Sequence, residues 1–523
     1  MTKKTNNIRT LVEESVGRTP DKTFFIFKDE EIAYQEFLKS INRVANGFIS
    51  LGVKKGDKVA ILLANCVEFP YSWLAANMIG AILVPVNTSF VDKEIEYVLN
   101  HSEAKLLVTS ESYLERIEGI RRNIPFIESV IDISASNRSK TIPFSSLLKN
   151  PSHLKQINIS GEDIATIGYT SGTTGNPKGC VKTHESVVHF ADTEGKLFQL
   201  SSEDRIITAQ PFHYGDPRMF TLMAMMYNAT IVLLERFSSS KFWDQVRQYN
   251  ITRFFLAGAM TSFLYNVPPS DLDKQHKVKF VQCNGIPPNI HKAWEERFNV
   301  PVFEVYGSTE TGNDIAVMHG MDRKVGTACI GRPVYYRKAK IVGENDAELP
   351  PGEIGEIILK RGKEMMKEYY KDPEATARAF RGGWFRTGDL AYKDEDGDFH
   401  FVGRKKDIIR RGGENISASS VEHVLLAHPK IADAAAIAVP DKIRGEEVKV
   451  YIVLREGQNM TYEEIIKFCE EHMAAFKVPR YIEFKDSLPK TPTDRVQKRK
   501  LIEERSDLTE GCYDRLATGS KGL

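Results

Sequence analysis

The sequence predicts an α/β protein, with doubly wound, mostly parallel sheet in a large amino-terminal part and a small α+β unit at the carboxy terminus. Three observations carry this. Strand-like and helix-like segments alternate from residue 58 to residue 305. A run of short strands with Gly/Pro turns begins near Gly326. A charged, glycine-bearing junction, Gly403-Arg-Lys-Lys-Asp407, then precedes a last set of short elements. At 523 residues the chain is too long for one core and should divide into two or more domains.

The elements follow in order. A short strand pair starts at Phe24, and Tyr34, Phe37, Leu38, Ile41, Val44, Ala45 and Phe48 then recur at helical spacing until Gly52. Strands over 58–63, 81–86 and 105–109 alternate with helices over 69–78 and 92–99, the pattern of a parallel sheet covered on both faces. Residues 134–140 are polar and predict a surface loop. The alternation resumes over 205–212, 230–234, 242–249, 253–256 and 278–283, a helix around 290–297, and 302–305. Several of these strands run into small or polar residues, and ligands in such sheets gather at strand carboxyl ends. Beyond Gly326, stretches such as 349–359 predict a small β-rich subdomain. Segments 421–427, 434–439, 448–454, 463–472 and 480–484 build the last unit, and the polar residues from Asp507 predict a loosely ordered tail.

Composition narrows the class. Hydrophobic residues at 41% and charged residues at 27% are ordinary for a soluble globular protein, and a net charge of +1 excludes a general nucleic-acid binder. No apolar run is long enough to cross a bilayer and the start lacks a signal-peptide core, so no integral membrane association and a cytoplasmic location are expected. The six cysteines include no C-x-x-C pair, which predicts reduced thiols rather than disulfides or a zinc site, with Cys180 a packing residue.

One stretch carries chemistry on its face: Tyr169-Thr-Ser-Gly-Thr-Thr-Gly-Asn-Pro-Lys-Gly179. Gly172, Gly175 and Gly179 permit close backbone approach, so amides can converge on an anion. Thr170, Ser171, Thr173 and Thr174 add hydroxyl donors and Lys178 adds charge. A helix expected near Thr183 would add its positive dipole end. A Walker A loop is excluded, because Pro177 stands where its second glycine must be and Gly179 where its Ser/Thr must be.

Four further stretches follow in fixed order: Tyr306-Gly-Ser-Thr-Glu310, Trp384-Phe-Arg-Thr-Gly-Asp389, residues 403–407 leading to Gly412-Gly-Glu-Asn415, and Leu488-Pro-Lys-Thr-Pro492. With the loop, they resemble the adenylate-forming (AMP-binding) superfamily, within it the acyl-CoA synthetase branch and its carnitine/crotonobetaine-CoA ligase-like group. The resemblance implies two doubly wound sheets plus the β-rich subdomain in a large domain (1–402), a hinge (403–407) and a small mobile domain (408–523). It implies ATP, Mg²⁺ and coenzyme A, and two steps: a carboxylic acid and ATP give acyl-AMP and pyrophosphate, then CoA displaces AMP. A stand-alone enzyme loading a carrier protein, or a nucleotide-binding protein with impaired catalysis, are the alternatives. The acid and the oligomeric state are not specified by the sequence.

Residue by residue, the resemblance assigns Thr170 and Glu310 to the metal, and Thr170, Ser171, Gly172, Thr173, Thr174, Gly175 and Lys178 to the phosphates. Gly285, Ile286, Pro287 and Tyr306 border the adenine, Gly307, Ser308 and Thr309 are further cofactor-binding residues, Asp389 takes the ribose, Arg404 the ribose or phosphate, and Gly413 faces the pantetheine tunnel. Lys406 is the hinge, and His213 gates the acyl pocket, with Asp216, Arg218 and Asp314 as possible polar contacts of the acid. Asp216 is a possible partner for a cationic acid. In one place the sequence departs from the family's Pro-Lys-Thr-x-x-Gly-Lys ending: Asp494 and Arg495 occupy the Gly-Lys positions. The catalytic cation is therefore expected to be Arg495, with Lys498 as the alternative.

Overall fold

The computed structural model describes residues 5–134, 140–170, 177–412, 414–490 and 496–518. Most of the expected 134–140 loop lies outside them. Three sheets organise the chain. In the first, Lys58–Leu62 pairs in parallel with Ile82–Pro85 on one side and Ala104–Thr109 on the other. These strands are buried almost throughout, because helices cover both faces. Helix Tyr34–Ser50 turns Phe37, Ile41, Val44, Ala45 and Phe48 inward, as their spacing predicts. The same core takes in Val59 and Leu83 from the first sheet and Phe25, Ile206 and Ile231 from the second, so one layer of side chains joins the two.

The second sheet has at its centre the parallel strands Thr230–Leu233, Arg205–Thr208, Arg253–Ala257, Phe280–Asn284 and Val302–Ser308. It differs from the sequence reading twice. The amino-terminal pair Thr23–Phe27 and Glu30–Ala33 joins its edge by parallel pairing with Thr230–Leu233, a partnership no local pattern encodes. The β-rich part, expected as a small subdomain of the large domain, is present, and its strands extend the same sheet, which the sequence does not show. Val302–Ser308 turns back at Glu310 into Gly312–Ala316, which pairs with Cys329–Pro333, then Phe399–Arg404, Trp384–Lys393, Gly355–Lys360 and Ala339–Val342. Hydrogen bonding is thus continuous from the nucleotide-type strand ends to residue 404.

The third sheet holds the carboxy-terminal strands, with Ile431–Asp441 and Gly445–Leu454 as its longest pair. Helices Ala418–Leu426 and Tyr462–His472 close its core over Ile409, Ile416, Val450 and Ile482. The expected loose tail is corrected as far as it is described. Tyr513–Asp514 pairs antiparallel with Tyr481–Phe484, and Arg480 donates to Asp514 Oδ1 at 3.0 Å, so strand pairing and a charged bond tie down a segment whose composition is polar.

Candidate functional site

The segments that flank the phosphate-type loop are two paired strands rather than a strand and a helix. Ile164–Thr170 pairs antiparallel with Lys178–Thr183, with Thr170 opposite Lys178. Ser171, Gly172, Thr173, Thr174 and Gly175 lie outside the described residues. The helix begins only at His184, where the Thr183 side chain accepts from Ser186 N. A strand of six residues therefore stands between loop and helix, about 20 Å at an ordinary strand rise, which removes the expected dipole contribution. What the structure brings to the loop instead is Tyr369. Glu368–Tyr369 adds to the sheet beside Val181 and Cys180. The Lys178 ammonium lies 5.1 Å from the Tyr369 ring centre, and the Tyr369 hydroxyl donates to Glu310 Oε1 at 3.0 Å. Lys178 and Glu310 thus meet across one tyrosine. Cys180 is buried and its thiol is pushed up by burial, which fits packing.

Glu310 sits half-exposed at the reversal between two strands, its backbone carbonyl accepting from Met366 N at 2.6 Å. On the strand entering that turn, the Tyr306 hydroxyl donates to Asp389 Oδ2 at 2.8 Å, and burial followed by the Asp389 charge pushes the phenol up. Arg404, opposite Asp389 in register, places Nε 3.4 Å from Asp389 Oδ1. Ser308 and Thr309 are exposed beside them. Gly285 has φ +85°, Ile286 is buried, and Pro287 leads into helix Pro288–Phe298. The buried Glu304 carboxylate accepts the Gly285 and Ile286 amides, and burial pushes its pKa up to about 8. That carboxylate fixes the Gly285–Pro287 turn against the strand bearing Tyr306.

Gly307 is a glycine for a steric reason. A Cβ there would overlap the Gly312 carbonyl oxygen across the turn, which is backbone and cannot yield. Gly307→Ala is expected to destabilise the protein by about 2–4 kcal/mol in urea unfolding, the range of severe core overpacking.

The residues expected near an acyl group divide. Both ring nitrogens of His213 are buried without a hydrogen-bond partner, and burial, then Arg218, brings its pKa down to about 3, so the imidazole is neutral. Asp314, expected as a contact of the acid, is wholly buried and already taken: Arg337 Nε is 2.6 Å away and Thr311 donates to it. Sequence reasoning missed Glu194, on the buried face of helix His184–Leu197. It is fully buried with the Asn313 side chain beside it, and burial pushes its pKa up to about 8. The only signal in the sequence is a glutamate in helical register with Val188 and Ala191.

Glu194 has a consequence for stability. The folded state keeps a proton that the unfolded state gives up between pH ~4.5 and ~8, so wild-type stability falls as pH rises through that window. Glu194→Gln is expected to match wild type at pH 5 and to exceed it by about 1–3 kcal/mol at pH 8, read by urea unfolding at both values.

At the carboxy-terminal side, Lys406 lies in the single turn Lys405–Asp407, with only its backbone described. Gly413 and Arg495 are outside the described residues. Lys498 begins helix Lys498–Glu503 and pairs with Glu422 Oε1 at 2.7 Å, an oxygen that also accepts Ala436 N. In this arrangement Lys498 is committed to its own unit. Among the described residues one carboxylate trio, Asp394, Asp396 and Asp398, has the spacing of a cation site, but the Lys324 ammonium occupies it at 2.6–2.8 Å from all three.

The pattern of the AMP-binding enzymes matches residues 12–370, and that of the AMP-binding enzyme carboxy-terminal domain matches residues 420–495. The chain belongs to the AMP-binding enzyme family. Among family members, a crotonobetaine/carnitine–CoA ligase of Salmonella paratyphi B is 36% identical over 95% of this chain and 98% of its own length. One from Salmonella arizonae is 35% identical over the same shares. Among solved structures, an anthranilate CoA ligase (AuaEII) in complex with anthranoyl-AMP superposes with a TM-score of 0.88 at 28% identity, covering 95% of this chain and 96% of that one. ATP-bound MatB from Rhodopseudomonas palustris gives 0.85 at 26% identity, covering 95% and 98%. The family fold, two large sheets followed by a small α+β unit, is that of this chain. No helix among the described residues is long and apolar enough to cross a membrane.

Proposed function

We propose that this AMP-binding enzyme is an AMP-forming acid–CoA ligase acting on a small carboxylic acid in the cytoplasm. The observation that carries the reading is the convergence of Lys178, Tyr369 and Glu310 next to Tyr306, Asp389 and Arg404, in a chain that CoA ligases match almost end to end. In the first half-reaction a carboxylate oxygen of the acid attacks the α-phosphorus of ATP, and the bond to the β-phosphate oxygen breaks, releasing pyrophosphate. In the second, the CoA thiolate attacks the acyl carbonyl and AMP departs with the attacking oxygen.

The chain's residues serve these steps by position and charge. The hydroxyls and amides of 170–175 and the Lys178 ammonium hold the β- and γ-phosphates. The Gly285–Pro287 turn and Tyr306 form the adenine slot, and Tyr306 orients Asp389 toward the ribose hydroxyls with Arg404 beside it. Glu310 and Thr170, both half-buried and both with side chains reaching Cys180, offer a carboxylate and a hydroxyl, hard oxygen donors that suit Mg²⁺; bound there, the ion would neutralise phosphate charge. Tyr369 keeps Glu310 and Lys178 apart while holding both. His213, neutral, excludes water between acid and nucleotide, and Arg495 brings the positive charge that steadies the carboxylate and α-phosphate. Residues 403–407 with Lys406 act as the hinge between 1–402 and 408–523, and Gly413 leaves room for the thiol arm after the small domain turns.

A screen of small carboxylic acids with ATP, Mg²⁺ and CoA, crotonobetaine and carnitine among the first, tests the reading through pyrophosphate and AMP. Acid-dependent release of both, with thioester only when CoA is present, is the expected result. Thioester formed on a carrier protein but not on CoA would move the chain to the carrier-loading class, and no acid-dependent release would leave only nucleotide binding.

A further inference from the structure

We propose that Glu356 is the positioning residue that aims Asp389 at the ribose of the nucleotide, by holding the backbone of an irregular turn within strand Trp384–Lys393. The inference rests on the ribose role given to Asp389 above and concerns how the chain sets that carboxylate in place. Glu356 stands in strand Gly355–Lys360, in register with Leu390, while Ile358 stands in register with Arg386. Ile357 alone therefore faces three residues, Thr387, Gly388 and Asp389, where a regular antiparallel ladder holds one. In a regular ladder the residue before Leu390 would lie opposite Ile357, on the face where Ile357, Leu359, Phe385 and Ala391 form an apolar core. The two extra residues break that alternation at Asp389, whose carboxylate instead accepts the Tyr306 hydroxyl at 2.8 Å and lies 3.4 Å from Arg404 Nε. Bulges beside active sites re-aim a side chain in this way.

Extra residues in a strand lose their ladder partners, and here side chains replace them. The Asp389 amide donates to Thr387 Oγ1 at 3.0 Å, and the Thr387 hydroxyl donates to Ile357 O at 2.7 Å. Both bonds come from within the turn. The Gly388 amide donates to Glu356 Oε1 at 3.1 Å, a bond that reaches the turn from the neighbouring strand. Gly388 has φ +71°, a left-handed conformation that glycine adopts at little cost, so the turn forms without strain and the acceptor for its amide selects it over other arrangements. Glu356 is not an ordinary surface acid. Its side chain is 13% exposed, and Oε2 turns to Lys405 Nζ at 3.7 Å and Arg386 Nη1 at 3.9 Å. Those ion pairs are long and Lys405 is exposed, so they add little energy and serve to orient the carboxylate with Oε1 toward Gly388. Without that oxygen the Gly388 amide of a half-buried turn has lost its acceptor, and the residue next to it, Asp389, loses its fixed place.

The test measures binding of ATP and of 2′,3′-dideoxy-ATP, each with Mg²⁺, to the intact chain by titration calorimetry, so that no acid substrate is needed. Wild type is expected to bind ATP about 30-fold or more tightly than the dideoxy analogue, as for hydrogen bonds from ribose hydroxyls to a charged group, and Asp389→Asn to cut that ratio below about fivefold. Glu356→Asp keeps the charge but retracts the acceptor from Gly388, and is also expected to cut the ratio below about fivefold. Glu356→Gln keeps the reach and an acceptor oxygen but loses the charge, and is expected to hold the ratio within about threefold of wild type. Because each ratio is taken within one preparation, a misfolded fraction of a variant cancels. A ratio lost in Asp389→Asn but kept in Glu356→Asp overturns the inference and leaves the ribose and ligase readings standing. A ratio lost in Glu356→Gln overturns it too, since charge rather than the Gly388 bond would then decide. No preference for ATP in wild type, or a ratio unchanged in Asp389→Asn, overturns the ribose role of Asp389 and the inference with it.

Discussion

Glu310→Gln is expected to lower acid-dependent pyrophosphate release by about 10²–10³-fold, the scale seen when one preorganised electrostatic group is removed from a reaction step. The amide keeps the shape and the hydrogen bond from Tyr369, which approaches Glu310 Oε1 at 3.0 Å, so the turn between Val302–Ser308 and Gly312–Ala316 should hold. What would be lost is the negative charge proposed to hold Mg²⁺ near Lys178. Raising Mg²⁺ should recover part of the rate in Glu310→Gln and none in Tyr369→Phe, whose smaller loss comes through position. Pyrophosphate release against Mg²⁺ concentration reads both, and an unimpaired Glu310→Gln removes Glu310 from the metal.

Arg495→Ala is expected to slow adenylation by about 10²–10³-fold while leaving conversion of supplied acyl-AMP and CoA to thioester within about threefold. Local electrostatics favour Arg495 over Lys498. Lys498 is bound to Glu422 at 2.7 Å within the carboxy-terminal unit, so delivering its charge to a distant carboxylate would strand a mostly buried acid. Lys498→Ala is therefore expected to keep adenylation within about threefold and to lose about 1 kcal/mol or more of stability, the sign of a structural ion pair. Arg495→Lys separates charge from shape, because a compact ammonium keeps the charge and loses the planar fork. Half-reaction assays on the three variants decide it, and an unimpaired Arg495→Ala enzyme contradicts the assignment.

Linear motifs were legible because their chemistry is local: residues 169–179, 306–310 and 384–389 announce themselves by hydroxyls, glycines and carboxylates at fixed spacing. The parallel strands were legible because two-sided burial requires apolar runs. Tyr369 was not, since it reaches the phosphate loop through a two-residue pairing with Cys180 and Val181 that leaves no periodic trace. The continuity of the β-rich part with the second sheet was hidden for the same reason: the tight reversal at Glu310 reads as a motif, and its structural role as the link between Val302–Ser308 and Gly312–Ala316 needs the pairing itself. Glu194 was hidden in another way. A lone acid on an apolar helix face has no meaning until its complete burial is known.

In the proposed first half-reaction a carboxylate oxygen of the acid becomes bonded to the α-phosphorus of ATP. It is tested most directly by supplying the acid with ¹⁸O in both carboxylate positions and analysing the nucleotide by mass spectrometry after turnover with CoA. One ¹⁸O in each AMP formed, with none in pyrophosphate, is the predicted result. Unlabelled AMP, or label in inorganic phosphate alongside ADP, would contradict it.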